Sequence, residues 1–304
     1  IADDIWEVSA ITERCASLVK LRCTRVTAVE QPPLVITHSL LGDHRGYRPL
    51  WKSQFRLSDM YALRHHGLRG GDVFKLDHSG AVNMASEFAT SLALAMRSSP
   101  FDMIGASYGA LLASNVWCAA KAAGGSPRRT VLIDPPPSAP RELLVPRMLS
   151  SLRTAAMGVL LIHLRVEMGA HVWEQFPQLQ TLPENALACF AAAQCFPDLP
   201  SKESVATSAR RMDRLLAVYR SCRHAFHTFA ATVEAISPHP DGTPAILMAL
   251  SSERWPTFRE MFPGIKEDRV DRYGPAATLR RPGKHIAMIN RCIGNWDADS
   301  RRQQ

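Results

Sequence analysis

The sequence predicts an α/β protein built on a mostly parallel central sheet with helices on both faces. Short, continuously apolar runs at 34–38, 101–106 and 130–133 alternate with stretches of helical periodicity. Continuous apolar strands are typical of a parallel sheet that is buried on both sides. From about residue 138 to residue 236 the strand-like runs stop and helical periodicity dominates, which indicates a helical insertion between two strands of the sheet.

The length and composition are those of one large domain. The chain has 304 residues, of which 46% are hydrophobic, enough to bury a sizeable core. We expect a single domain over 1–304, with a core of about 21–137 and 243–304, a helical lid insertion of about 138–242, and an N-terminal helix or linker in 1–20. The amphipathic-looking start leaves two options open: it covers the core, or it pairs with a second copy in a homodimer.

Charge and cysteine usage limit the partners and the compartment. The net charge of +8 favours an acidic partner. The basic residues are scattered and are not interleaved with aromatic residues, so nucleic acid is not expected. Seven cysteines without a C-x-x-C pair indicate reduced thiols in an intracellular protein, for which we predict a cytoplasmic location. The longest apolar run, 155–164, is too short to cross a membrane.

The predicted elements alternate along the chain. Helix is predicted at 83–98, from residue 108 to about 123, and at 143–168, 183–196 and 205–236. Strands are predicted at 21–26 (an edge strand), 34–38, 60–63, 101–106, 130–134, 243–250 and 270–273.

The sequence around residue 107 is typical of a nucleophile elbow. An apolar strand at 101–106 leads into a G-x-S-x-G turn and then into a helix of small residues. The turn places the serine in a strained backbone conformation, so its neighbours must be small, and Gly105, Ala106, Gly109 and Ala110 all are. The Ser107 hydroxyl would then lie at a helix N-terminus, where free backbone N–H groups can bind an oxyanion.

Ser107, Asp134 and His285 follow the Ser…acid…His order of α/β-hydrolases. Each lies just beyond a predicted strand, so we expect all three at one edge of the sheet. His285 would take the serine proton, and Asp134 would hold the imidazole in the correct tautomer and stabilise its charged form. Glu253, which follows the strand at 243–250, is the alternative acid.

Several segments resemble, in order, the motifs of thioesterase domains from polyketide synthases and nonribosomal peptide synthetases. These segments are Leu34–Gly42 with Tyr47–Leu50, Met60–Leu63 with Gly67, the elbow, Val131–Asp134 and Gly283–His285. The resemblance implies an α/β-hydrolase fold and favours Asp134 over Glu253 as the acid. It also implies that the backbone N–H groups of Tyr108 and Leu40 form the oxyanion hole, with Leu41 as the alternative to Leu40.

Two positions depart from the motifs of that family. Ala106 and Ala110 stand where the family usually has histidine and glycine. Both alanines are small enough for the turn, so we expect the catalytic chemistry to be retained.

The resemblance also implies an activity. A thioesterase of this kind releases an acyl or peptidyl chain from the phosphopantetheine arm of an acyl or peptidyl carrier protein, through an acyl-Ser107 ester, by hydrolysis or macrocyclisation. No bound cofactor is expected, and the commonly acidic carrier suits the basic chain. The alternatives are a discrete editing thioesterase, a general serine esterase or acyltransferase, and a non-catalytic binding protein with the same fold.

The remaining histidines are expected to be structural. His224 and His227 have a helical spacing that could bind a metal, but no carboxylate or cysteine pattern completes a site, so we expect none. His38 ends a predicted strand, and we expect it to be structural. His65 and His66 are expected at a solvated strand end.

Overall fold

The computed structural model describes residues 7–10, 18–21, 32–44, 59–69, 72–75, 77–96, 99–133, 183, 186, 205–233, 245–249 and 266–269. The strands are β1 (Glu7–Ala10), β2 (Leu18–Leu21), β3 (Leu34–Ile36), β4 (Met60–Leu63), β5 (Phe101–Ala106), β6 (Pro127–Ile133), β7 (Ala245–Ala249) and β8 (Lys266–Arg269). The helices are a 3₁₀ helix (His66–Arg69), α1 (His78–Met96), α2 (Tyr108–Ala122) and α3 (Val205–Val233).

The strands form one sheet in the order β1-β2-β4-β3-β5-β6-β7-β8. Every pair from β4 to β8 across the sheet is parallel, whereas β1 and β2 are antiparallel additions at one edge. The prediction of a mostly parallel sheet is therefore confirmed. Strand β5 lies between β3 and β6, and in parallel strands all three carboxyl ends meet at the same edge, where ligand sites of α/β sheets form.

The start of the chain is different from the prediction. A helix or linker was expected in 1–20, but residues 7–10 and 18–21 are strands of the central sheet. Strand β2 pairs with β1 on one side and with β4 on the other, so it is not an edge strand, and Leu18 and Val19 are fully buried. A short apolar run fits the period of a helix and the period of a strand, so the sequence pattern was misleading here. The pairing of β2 with β4 makes this segment a strand.

The described core lies between the sheet and one layer of helices. Helix α2 packs on β5 and β6, α1 packs on α2, and α3 packs on both helices. Its largest fully buried side chains include Trp117, Tyr108 and Phe88. Helices were predicted on both faces of the sheet. The prediction for the second face falls on residues that the structure does not describe, so it stays a prediction. None of the described helices combines the length and the apolar character that a membrane span needs.

Most elements near the centre of the sheet agree with the prediction. Strands β5, β6 and β7 lie where apolar runs were found, and α1 and α3 lie where helices were predicted at 83–98 and 205–236, of which residues 97–98 and 234–236 are outside the described residues. The last described strand, β8, ends at Arg269, just before the predicted strand at 270–273, which lies outside the described residues. The two predicted helices at 143–168 and 183–196 lie almost wholly outside them as well.

Candidate active site

Ser107 occupies the turn between β5 and α2 in a strained conformation. Its φ is 52° and its ψ is −124°, and no other non-glycine residue among the described ones has a positive φ. Such a conformation costs on the order of 1–3 kcal/mol and persists only where the surroundings hold it. Two hydrogen bonds do so: the Ser107 N–H donates to the Ile133 carbonyl at 2.8 Å, and the Ala110 N–H donates to the Ser107 carbonyl at 2.9 Å.

Close packing behind the serine explains the glycine at position 105. A Cβ on Gly105 would overlap the Gly109 carbonyl and would lie 2.7 Å from Thr37 Oγ1. The buried Thr37 hydroxyl donates to the Gly109 carbonyl at 2.8 Å, and the Thr37 N–H donates to the Ile104 carbonyl at 3.0 Å. The end of β3 is therefore bonded directly to the elbow. Thr37 was not among the predicted site residues.

Helix α2 directs its N-terminus at the serine. Ser107 is the N-cap residue, but its hydroxyl does not cap the helix, and the first turn contains no acidic side chain. The amides of a first helical turn have no partner within the helix, and they form the positive end of its dipole. The Tyr108 amide is the first of them. A negative charge that develops beside Ser107 would thus be stabilised by α2.

The loop after β3 distinguishes the two candidates for the second oxyanion donor. In this loop the Ser39 N–H donates to the Asp43 carbonyl and the Gly42 N–H donates to the Ser39 carbonyl, both at 2.9 Å. The Leu41 N–H donates to Ser39 Oγ at 3.2 Å, so it is already engaged. For the Leu40 N–H, the described residues provide no acceptor. This geometry favours Leu40 over Leu41.

His38 lies fully buried behind this loop. Burial lowers the pKa of His38 from its ordinary value of 6.5 to about 4, so the ring is neutral. Its Nδ1–H donates to the Ser39 carbonyl at 2.8 Å. The ring packs 5.3 Å from that of Phe88 and 5.7 Å from that of Tyr108, measured between centroids. This packing agrees with the structural role predicted for His38.

The prediction that His65 is solvated was wrong. His65 is fully buried, and burial, followed by the neighbouring His38 and His66, lowers its pKa to about 2. The cause is tertiary: α3 covers the ring, with Ser221 Oγ 3.4 Å from His65 Nε2. His66 is partly exposed, and its Nδ1 lies 3.1 Å from Glu87 Oε1. The hydrogen bond with Glu87 is the main reason that the pKa of His66 is raised.

The predicted acid and base lie outside the described residues, as does the alternative acid. These are Asp134, His285 and Glu253. Strand β6 ends beside the elbow, since Ile133 accepts the Ser107 amide hydrogen bond. The described part of the site thus comprises the nucleophile position and both predicted oxyanion amides. Within the described ranges, no group of three or more metal-binding side chains is placed to hold a metal ion.

Comparison with known proteins shows a likeness of fold. A four-domain nonribosomal peptide synthetase bound to AMP and glycine matches 92% of the chain with a TM-score of 0.63 at 15% identity, and the chain spans 20% of that protein. The wild-type Vlm2 thioesterase domain matches 91% of the chain and 96% of its own length, with a TM-score of 0.59 at 15% identity. The surfactin thioesterase domain SrfTE matches 93% and 98%, with a TM-score of 0.52 at 11% identity.

The chain has the α/β-hydrolase fold of these thioesterase domains. The resemblance found in the sequence motifs is thereby confirmed at the level of fold. No protein-family profile matches the chain, and no curated protein does.

Proposed function

We propose that the protein is a serine thioesterase that releases an acyl or peptidyl chain from the phosphopantetheine thioester of a carrier protein. The observation that carries this proposal is the strained backbone of Ser107 at the N-terminus of α2. A strained serine at a helix N-terminus, whose hydroxyl does not cap its own helix, suits a nucleophile. The fold shared with thioesterase domains supports the choice of substrate class.

The proposed reaction has two halves. His285 takes the proton of Ser107 Oγ as the oxygen attacks the thioester carbonyl, and the oxyanion that forms accepts hydrogen bonds from the amides of Leu40 and Tyr108. Collapse of the tetrahedral intermediate breaks the C–S bond, and His285 returns the proton to the departing pantetheine sulfur. Asp134 orients the imidazole throughout. The product of this half is an acyl-Ser107 ester and a free carrier thiol.

The second half releases the chain. Water, or a hydroxyl or amine of the chain itself, attacks the acyl-Ser107 carbonyl while His285 accepts its proton. Collapse of the intermediate breaks the bond between the acyl carbon and Ser107 Oγ, and His285 returns the proton to that oxygen. Water gives a free acid, and an internal nucleophile gives a macrocycle. SrfTE cyclises a lipopeptide antibiotic, and one Vlm2 thioesterase structure contains a dodecadepsipeptide. These similar proteins support testing peptidyl and depsipeptidyl chains first.

We further propose that the insertion of about 138–242 forms a lid over the acyl chain. Helix α3 is its described part, and it packs against α1, α2 and the 3₁₀ helix. Excluding water under such a lid would favour an internal nucleophile over hydrolysis. The net charge of +8 suits an acidic carrier protein as the partner.

Turnover of acyl and peptidyl pantetheine thioesters, compared with simple oxygen esters, tests the proposal. We expect thiol release from thioesters, with free acid or macrocycle as the second product. The Asp134→Asn variant should lose about 10⁴-fold in kcat and the His285→Gln variant about 10⁶-fold. Glu253→Gln is the matched comparison and should stay near wild type. Cleavage of oxygen esters alone would show a general esterase, and a large loss only in Glu253→Gln would transfer the role of the acid to Glu253.

A further inference from the structure

We propose that helix α3 is part of the oxyanion-hole machinery, with Val218 and Ser221 as positioning residues for the loop that presents the Leu40 amide. The inference rests on the proposed function, because it assumes that the Leu40 amide is an oxyanion donor. A lid that only covers the substrate would not need these contacts.

The loop that presents the Leu40 amide, residues 39–43, is called the oxyanion loop here. Val218 packs directly against its turn. Gly42 closes this turn with a φ of +77°, and its N–H donates to the Ser39 carbonyl at 2.9 Å. A Cβ on Gly42 would overlap Val218 Cγ1 and would lie 2.9 Å from His65 Cβ. Val218 is itself fully buried. The loop backbone at Gly42 is therefore packed closely against both α3 and His65.

Ser221 is connected to the same turn through His65 by a chain of hydrogen bonds. The His65 N–H donates to the Gly42 carbonyl at 2.8 Å, and the Gly67 N–H donates to His65 Nδ1 at 3.1 Å. Because Nδ1 accepts, the proton of the neutral ring is on Nε2, which faces Ser221 Oγ at 3.4 Å. The Ser221 hydroxyl donates in turn to the Phe74 carbonyl at 3.3 Å.

The His65 ring in this chain of contacts is neutral. Burial lowers the pKa of His65 to about 2, well below neutral pH. Two neighbouring histidines, His38 and His66, face the His65 ring. The Ser221 hydroxyl and the Phe74 ring face it as well. The neutral ring with its proton on Nε2 is therefore the form that links Gly67 to Ser221.

The same helix also contacts the residue that carries the other oxyanion amide. The buried Tyr108 hydroxyl donates to Met84 Sδ at 3.4 Å, and burial, with the neighbouring Cys222 of α3 as a further cause, raises the pKa of Tyr108. Phe226, one turn further along α3, has its ring 6.4 Å from that of Tyr108. Both predicted donors therefore belong to segments that α3 holds. A shift of α3 away from Gly42 and Tyr108 would loosen them together.

Val218→Ala and Ser221→Ala test this inference. Matched controls are Val116→Ala, another fully buried valine, and Ser114→Ala, a buried serine whose hydroxyl donates within α2 to the Ala110 carbonyl at 3.0 Å. Val116 lies nine residues beyond Ser107, roughly 13 Å along the helix. The readouts are kcat and KM for a pantetheine thioester and the rate at which a fluorophosphonate labels Ser107, followed by intact mass.

We expect the two α3 variants to lower both kcat and the labelling rate by about 10- to 100-fold, with KM within about 2-fold of wild type. The controls should keep wild-type rates at a similar loss in melting temperature. Val218→Ile, which crowds Gly42 instead of freeing it, should also slow labelling, and it serves if the alanine variants do not fold.

Two negative results have different meanings. If wild-type Ser107 is labelled but the α3 variants match their controls, or change only KM, the positioning role is overturned and the proposed function stands. If wild-type Ser107 reacts with neither the fluorophosphonate nor any thioester, the proposed function fails, and this inference fails with it.

Discussion

At the scale of single residues, the site depends on how the backbone of Ser107 is held. The small neighbours that the turn requires could be predicted from the sequence, because G-x-S-x-G states them directly. Thr37 could not, because the Gly109 carbonyl to which it donates is 72 residues away. The same limit explains the error at His65: its cover comes from Ser221, 156 residues further along the chain.

Gly105→Ala should destabilise the protein and abolish the reactivity of Ser107. The added Cβ would overlap the Gly109 carbonyl and crowd Thr37 Oγ1, and both are fixed by the elbow. We expect the free energy of unfolding to fall by about 3 kcal/mol, at the upper end of the usual cost of overpacking. Urea unfolding and fluorophosphonate labelling measure the two effects.

Gly124→Ala is the control for that substitution. Gly124 has a φ of +79°, but a Cβ added there would meet no other atom within 4 Å, so only backbone strain of about 1 kcal/mol is expected. Labelling of Ser107 should be unchanged. Equal losses of stability in the two variants would contradict the packing explanation for Gly105.

The buried His38 predicts an acid-sensitive contribution to stability. Its pKa is about 4 in the folded protein, against an ordinary value of 6.5, so between these values only the unfolded chain binds the proton. Stability from this site is therefore complete above pH 6.5 and falls by about 1.4 kcal/mol per pH unit as pH drops toward 4. The stability gap between wild type and His38→Asn should narrow accordingly between pH 6.5 and pH 5 in urea unfolding. A constant gap would contradict it.

At the scale of elements, the best predictions concern the centre of the sheet. Strand β5 and the last residues of β6, 131–133, are apolar on both faces, which leaves one interpretation. Strands β1 and β2 have four residues each, and their apolar residues fit a helix equally well. Their place in the sheet is decided by pairing of β2 with β4, which is a tertiary fact.

Leu18→Ala tests the corrected position of β2. Leu18 is fully buried and pairs across the sheet with Leu63. Truncating it should reduce the free energy of unfolding by about 3 kcal/mol, because it leaves a cavity in the core. Leu94→Ala, on the outer side of α1 and 58% exposed, is the matched control and should stay within about 0.5 kcal/mol of wild type. Similar small effects at both positions would argue against the strand.

At the scale of the whole molecule, the order of motifs along the chain predicted the fold class and the place of the site. Parallel strands bring their carboxyl ends to one edge, so a nucleophile after β5 and a loop after β3 meet there. What could not be predicted is that α3 packs on the loop after β3 at Gly42. That contact joins residues far apart in the sequence and leaves no local pattern.

The most direct test of the central claim, that Ser107 is an acyl-accepting nucleophile, is the intact mass of the protein after mixing with acyl-pantetheine thioesters. We expect a gain of one acyl group in the wild type, located at Ser107 by peptide mapping, and no gain in Ser107→Ala. An acyl adduct that persists in Ser107→Ala, or a folded wild type that forms no adduct and turns over no thioester, would contradict the claim.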